Sequence, residues 1–90
     1  MTEPIETQRK RLQMRSMRRG IKEMDLILSS FAAGHLARMG AAELALYDRF
    51  LSENDHDLYL WVCGHTAGPP EYAGLIAQIA DGAVGLVRPA

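Results

Sequence analysis

A chain of 90 residues that is 48% hydrophobic and 23% charged has material for one small core, which excludes a wholly disordered protein. A single cysteine, Cys63, excludes an internal disulfide framework and a multi-cysteine zinc site. The formal net charge of -1 speaks against a nucleic-acid binder at first sight, and the size disfavours a self-contained enzyme with a deep pocket.

The first predicted element covers residues 5–18, a short helix whose thin apolar stripe is Ile5, Leu12 and Met17 among charges. Gly20 follows it. Residues 21–38 carry a stronger signal: Met24, Ile27, Leu28 and Phe31 recur at i, i+3, i+4 and i+7, one face of an α-helix. Gly34 and Gly40 weaken and end it. A third helix starts at Gly40-Ala-Ala-Glu43, with Glu43 at the third helical position facing the free amides. Leu44, Tyr47 and Leu51 give its buried face, flanked by Leu46 and Phe50.

Asn54 is the N-cap of a fourth helix, with Asp55 and Asp57 in its first turn. Leu58, Trp61 and Val62 are its buried side and Gly64 its stop. Gly68-Pro69-Pro70-Glu71 opens a fifth helix, since proline at a helix start loses no hydrogen bond. Tyr72, Leu75, Ile76 and Ile79 repeat the helical spacing. The expectation is an all-α, five-helix bundle forming one domain over residues 1–90. Its helical core covers about residues 5–82, and residues 83–90 fray. No segment alternates as a strand does. No apolar run reaches the roughly 20 residues that a membrane span needs. Residues 1–12 lack a signal-peptide pattern, and Glu3 and Glu6 argue against a transit peptide, so the cytoplasm is the expected compartment.

The charge is a cancellation. Residues 9–23 hold seven of the ten bases (Arg9, Lys10, Arg11, Arg15, Arg18, Arg19 and Lys22) against one acid, Glu23, a balance of +6. Residues 43–81 hold seven acids against Arg49, a balance of −6. Such asymmetry can steer a charged partner or draw the two halves of the fold together.

Candidate chemistry is sparse. Cys63-Gly64-His65 is the one close pair of metal ligands, and no second pair at zinc spacing accompanies it, so Cys63 reads as a small hydrophobe. A Cys63–His65 nucleophile pair has nothing else beside it to lower the thiol pKa. No glycine-rich phosphate loop is present. Capping accounts for Asp55 and Asp57 without catalysis. A basic helix in an all-α domain is the footprint of a nucleic-acid binder, but no aromatic residue is interleaved with the arginines. That reading stands as the alternative.

The remaining cluster is Arg19-Gly20-Ile21-Lys22-Glu23-Met24-Asp25. On a continuous helix Arg19 and Glu23 would form an ordinary i,i+4 pair. Gly20 needs another reason, because glycine costs about 1 kcal/mol against alanine inside a helix. It either turns the chain or admits a close approach by another segment.

These residues resemble the succinate dehydrogenase assembly factor 2 family, the flavinylation factors of bacteria and mitochondria. The family's R-G-x-x-E motif after an arginine-rich helix stands here as Arg19-Gly20-Ile21-Lys22-Glu23, continuing into Asp25, Leu28 and Phe31. Its D-x-D-L-x-x-W-x-x-G pattern stands as Asp55-His-Asp-Leu58, Trp61 and Gly64. The similarity runs over roughly residues 9–80. Gln13-Met14, Ser29-Ser30 and Cys63–Thr66 depart from it.

The resemblance implies a five-helix bundle that is not an enzyme. It implies an assembly factor that binds the flavoprotein subunit of succinate dehydrogenase, and of fumarate reductase, in the bacterial cytoplasm. There it promotes attachment of FAD to a histidine of that subunit, with the FAD belonging to the client. Carried over by position, Arg19, Gly20 and Glu23 contact the client, with Arg15 and Asp25 beside them, and the basic stretch steers the encounter.

Overall fold

The computed structural model describes residues 3–83. Five α-helices run in order: α1 (Ile5–Arg15), α2 (Lys22–His35), α3 (Ala41–Leu51), α4 (Asp55–Val62) and α5 (Ala73–Ala83). Two 3-10 turns, Leu36–Arg38 and Pro70–Tyr72, precede α3 and α5. There is no strand among the described residues, and the all-α bundle read from the sequence is the fold.

The core follows the periodic positions. Met24, Ile27, Leu28 and Phe31 of α2 are buried against Leu44, Tyr47, Phe50 and Leu51 of α3, Leu58 and Val62 of α4, and Leu75 and Ile79 of α5. Helix α2 is central, packing on α1, α4 and α5, while α1 lies along α3. Phe50 is fully buried at the hub of an aromatic cluster. Its ring lies 5.3 Å from Tyr72 edge-on, 6.3 Å from Trp61 and 6.4 Å from Tyr47. Such contacts add about 0.5–1.5 kcal/mol each beyond area burial.

The helix ends use the expected chemistry. Asn54 Oδ1 accepts the His56 amide at 2.8 Å, and Glu43 accepts the Gly40 amide at 3.0 Å. After α4, Gly64 adopts φ +78°. The His65 amide then returns to the Leu60 carbonyl at 2.9 Å and the Gly64 amide to the Trp61 carbonyl at 3.2 Å, a Schellman close.

Three expectations shift. The first helix ends at Arg15 instead of residue 18, and of its apolar stripe Leu12 alone is buried, with Ile5 and Met17 exposed. Ser16, just beyond its end, turns inward, its hydroxyl donating to the Leu12 carbonyl at 2.8 Å. The second helix ends at His35, and residues 36–38 tighten into a 3-10 turn because Arg9 reaches across to its carbonyls. Finally, α5 continues through Gly82 to Ala83, while the fraying expected further on falls on 84–90, outside the described residues.

With so little apolar surface, α1 docks through polar contacts. Arg9 donates to the carbonyls of Leu36 at 2.9 Å and Met39 at 3.1 Å. Arg11 donates to both Asp48 oxygens, at 3.1 and 2.9 Å, and to Glu3 at 2.9 Å. Arg15 joins it on Asp48 and also reaches Ser52. The hydrogen bonds and charge of Arg11 hold the carboxyls of Asp48 and Glu3 below the usual carboxylate range.

Among the described residues, Ser16 is a polar side chain fully buried in this core. Its own proton goes to Leu12, so the Tyr47 hydroxyl, 2.6 Å away, donates to it. Burial pushes the Tyr47 phenol up to about 12, a rise that the charges of Arg19 and Arg15 reduce. A group whose pKa is raised by folding adds stability below its unfolded pKa and loses it as pH climbs through the folded value. Stability is therefore expected to hold to about pH 10 and to fall toward pH 12, by on the order of 2 kcal/mol from this group. Melting curves of wild type and Tyr47→Phe across that window check it. The variant should start about 0.5–1.5 kcal/mol less stable and fall less steeply.

Candidate functional site

The segment joining α1 to α2, residues 16–21, is not helical, so the i,i+4 geometry that would pair Arg19 with Glu23 does not exist. Arg18 takes a left-handed φ of +56°. A non-glycine residue there needs local support. Its amide donates to Asp25 Oδ1 at 3.0 Å, and the Ser29 hydroxyl donates to the same oxygen at 3.3 Å. Asp25 therefore holds the turn from the α2 side.

The other side is held by Asp55, the first residue of α4. Arg19 Nε and a terminal nitrogen lie 2.9 and 2.8 Å from Asp55 Oδ1. The two terminal nitrogens of Arg19 also donate to the carbonyls of Arg15 and Leu51, each at 2.8 Å. The Arg19 side chain is 11% exposed and that of Asp55 20%. The Gly20 amide donates to Asp55 Oδ2 at 2.8 Å, so one carboxylate binds consecutive residues of the turn. A helix N-terminus favours an anion at this position.

Gly20 has no positive φ; its role is proximity. A Cβ there would stand 3.1 Å from Asp55 Oδ2, an oxygen fixed on the Gly20 amide itself. The close approach anticipated from the sequence is real, and the approaching group is a carboxylate. Asp55, read there as a capping charge, is the residue that sequence reasoning missed; Asn54 does the capping.

The five candidate residues therefore divide. Arg15 is taken up by Asp48 and Ser52, Arg19 by Asp55, and Asp25 by the Arg18 amide. Gly20 and Glu23 are exposed. Arg18 and Lys22 are exposed beside them, and Leu26, one helical turn beyond Lys22 and Glu23, is 47% exposed. Across from Glu23, the Cys63 thiol and then the Glu23 charge push the Tyr59 phenol upward. The outward surface is thus a mixed patch of Arg18, Gly20, Lys22, Glu23 and Leu26.

This division also corrects the picture of a basic steering helix. Arg9, Arg11, Arg15 and Arg19 are turned onto carbonyls and carboxylates of the same chain. The charge separation in the sequence joins the two halves of the fold. A phosphate backbone would meet a helix whose guanidinium groups already have acceptors, which removes the support for a nucleic-acid reading. Cys63 caps the end of α4 and is exposed, so it does not pack as a small hydrophobe. Among the described residues no group of three or more His, Cys, Asp or Glu could hold a metal.

A family model described as "Flavinator of succinate dehydrogenase" matches residues 10–82. The chain belongs to that family. The flavinator match covers both the Arg19-Gly20 turn and Asp55. Among relatives, a succinate dehydrogenase assembly factor 2 of Aspergillus flavus, named as mitochondrial, is 48% identical over 68 residues, 76% of this chain and 22% of that protein. Assembly factor 2-A of Drosophila mojavensis, also named as mitochondrial, is 43% identical over 72 residues, 78% of this chain and 46% of that protein.

The chain thus spans less than half the length of these relatives. Their names overturn the expected bacterial cytoplasmic location. That expectation rested on the character of residues 1–12 and on the resemblance. No helix described here is long and apolar enough to cross a membrane.

Proposed function

We propose that this chain is a non-enzymatic assembly factor that binds the flavoprotein subunit of succinate dehydrogenase and promotes covalent attachment of FAD to it. The family match over residues 10–82 carries the reading. The structure supports it by presenting Gly20 and Glu23 outward on a turn braced from two sides. The factor stabilises an attachment-competent conformation of its client, and the client supplies the reacting groups. The flavoprotein subunit of fumarate reductase is a second client of the same kind.

FAD belongs to the client in this scheme. The open groove between α1 and α2, about 450 Å³, is lined by Met14, Ala32, Ala33 and Leu36 with Arg9 and Lys10 at its edge. Arg9 is engaged by two carbonyls. The test is apo-flavoprotein subunit incubated with FAD, with and without this chain, followed by in-gel flavin fluorescence after denaturation. Covalent flavin is expected to rise with the chain present and to fall back with Glu23→Ala. Equal fluorescence with and without the chain would overturn the proposal.

A further inference from the structure

We infer that Asp55 is a positioning residue for partner binding, and that Arg19 serves the motif from inside, as the anchor of the turn and not as a contact. The inference rests on the proposed flavoprotein partner and assigns roles within that binding surface. Asp55 sits 35 residues from Gly20 in sequence, on another helix, yet its two oxygens divide between the Arg19 guanidinium and the Gly20 amide. Every nitrogen of the Arg19 guanidinium has an acceptor within the chain. A partner carboxylate would have to compete with Asp55 and with the Arg15 and Leu51 carbonyls for it.

The neighbouring residues face the other way. Arg18, Gly20, Lys22 and Glu23 are exposed, and Arg18 is held in a left-handed conformation by Asp25. Two carboxylates on two helices thus set the turn's backbone: Asp25 takes the Arg18 amide and Asp55 the Gly20 amide. Removing the Asp55 charge frees the Gly20 amide and loosens Arg19, so the outward residues lose their fixed spacing. Rigid preorganisation of a binding loop raises affinity by lowering the ordering cost on association.

The test uses the full chain, with Asp55→Asn compared against Asp48→Asn. Asp48 holds two arginines between α1 and α3 and makes no hydrogen bond to residues 16–21, and so controls for the loss of an ion pair as such. Melting temperature, the Gly20 amide signal in a 1H–15N spectrum, and affinity for the flavoprotein subunit are read together. Asp55→Asn is expected to shift the Gly20 amide and weaken binding by about tenfold or more, roughly the worth of one charge-assisted hydrogen bond. Asp48→Asn is expected to lower the melting temperature with affinity within about twofold of wild type.

Should Asp55→Asn fail to fold, Asp55→Glu retains the charge and moves the carboxylate by one methylene, and the same loss of affinity is expected. Wild-type affinity in a folded Asp55 variant, or an equal loss in Asp48→Asn, would overturn the positioning role and leave the proposed function standing. A wild-type chain that does not bind the subunit would overturn both.

Discussion

Arg19→Ala is expected to be among the most damaging single substitutions, costing about 2–4 kcal/mol. The arginine is 11% exposed and satisfies a carboxylate and two carbonyls. Deleting it leaves Asp55, 20% exposed, without its counter-charge, and breaking such a pair costs more than the pair contributes. The pair is partly wet, so the expectation lies at the lower edge of the buried range. For a domain of this size each kcal/mol lowers the melting temperature by about 4–8 °C. A fall of roughly 10–25 °C in thermal unfolding is therefore the expected reading, with Arg18→Ala, whose side chain is exposed, as the comparison. A fall of only a degree or two would show that the cluster contributes no more than a surface ion pair.

Phe50→Ala acts through packing and is expected to cost about 3–5 kcal/mol. The ring is fully buried and packs against three aromatic groups, Tyr47 on its own helix and Trp61 and Tyr72 on two other segments, so no single neighbour can collapse into the void. Domains of about 90 residues have total stabilities of roughly 5–13 kcal/mol. The variant therefore loses a large share of its margin. Urea titration followed by near-ultraviolet circular dichroism should show a lower midpoint with a similar slope. Retention of the wild-type midpoint would mean that the cluster repacks around the deletion.

The helices were legible because burial repeats at helical spacing, as Met24, Ile27, Leu28 and Phe31 do. Asn54 and Gly64 were legible because caps act locally. The arginines were not, for a definite reason. A run of charge records that a segment needs counter-charge or water, and says nothing of which distant residue supplies it. Arg19 finds Asp55 36 residues away, and Arg11 finds Asp48 37 away. The same limit hid the end of α1: the left-handed Arg18 is fixed by Asp25 on the next helix, and arginine itself gives no turn signal. Gly20 was half-readable. Its need for a close approach followed from its cost in a helix; the identity of the approaching atom required the fold.

The way α1 is attached has a consequence for motion. Helix α1 places Leu12 alone in the apolar core, with Ser16 buried just beyond its end, and is otherwise fastened by guanidinium contacts at the surface. Cooperative units with few buried apolar contacts open first. Contacts between exposed charges also weaken as salt shortens the Debye length, about 8 Å at physiological ionic strength. Helix α1 is therefore expected to behave as the bundle's detachable strap, lifting at lower free energy than α2–α5 and more readily as ionic strength rises. Such an opening would uncover Ala32 of α2 and Leu36 just beyond its end while the aromatic hub at Phe50 stays closed.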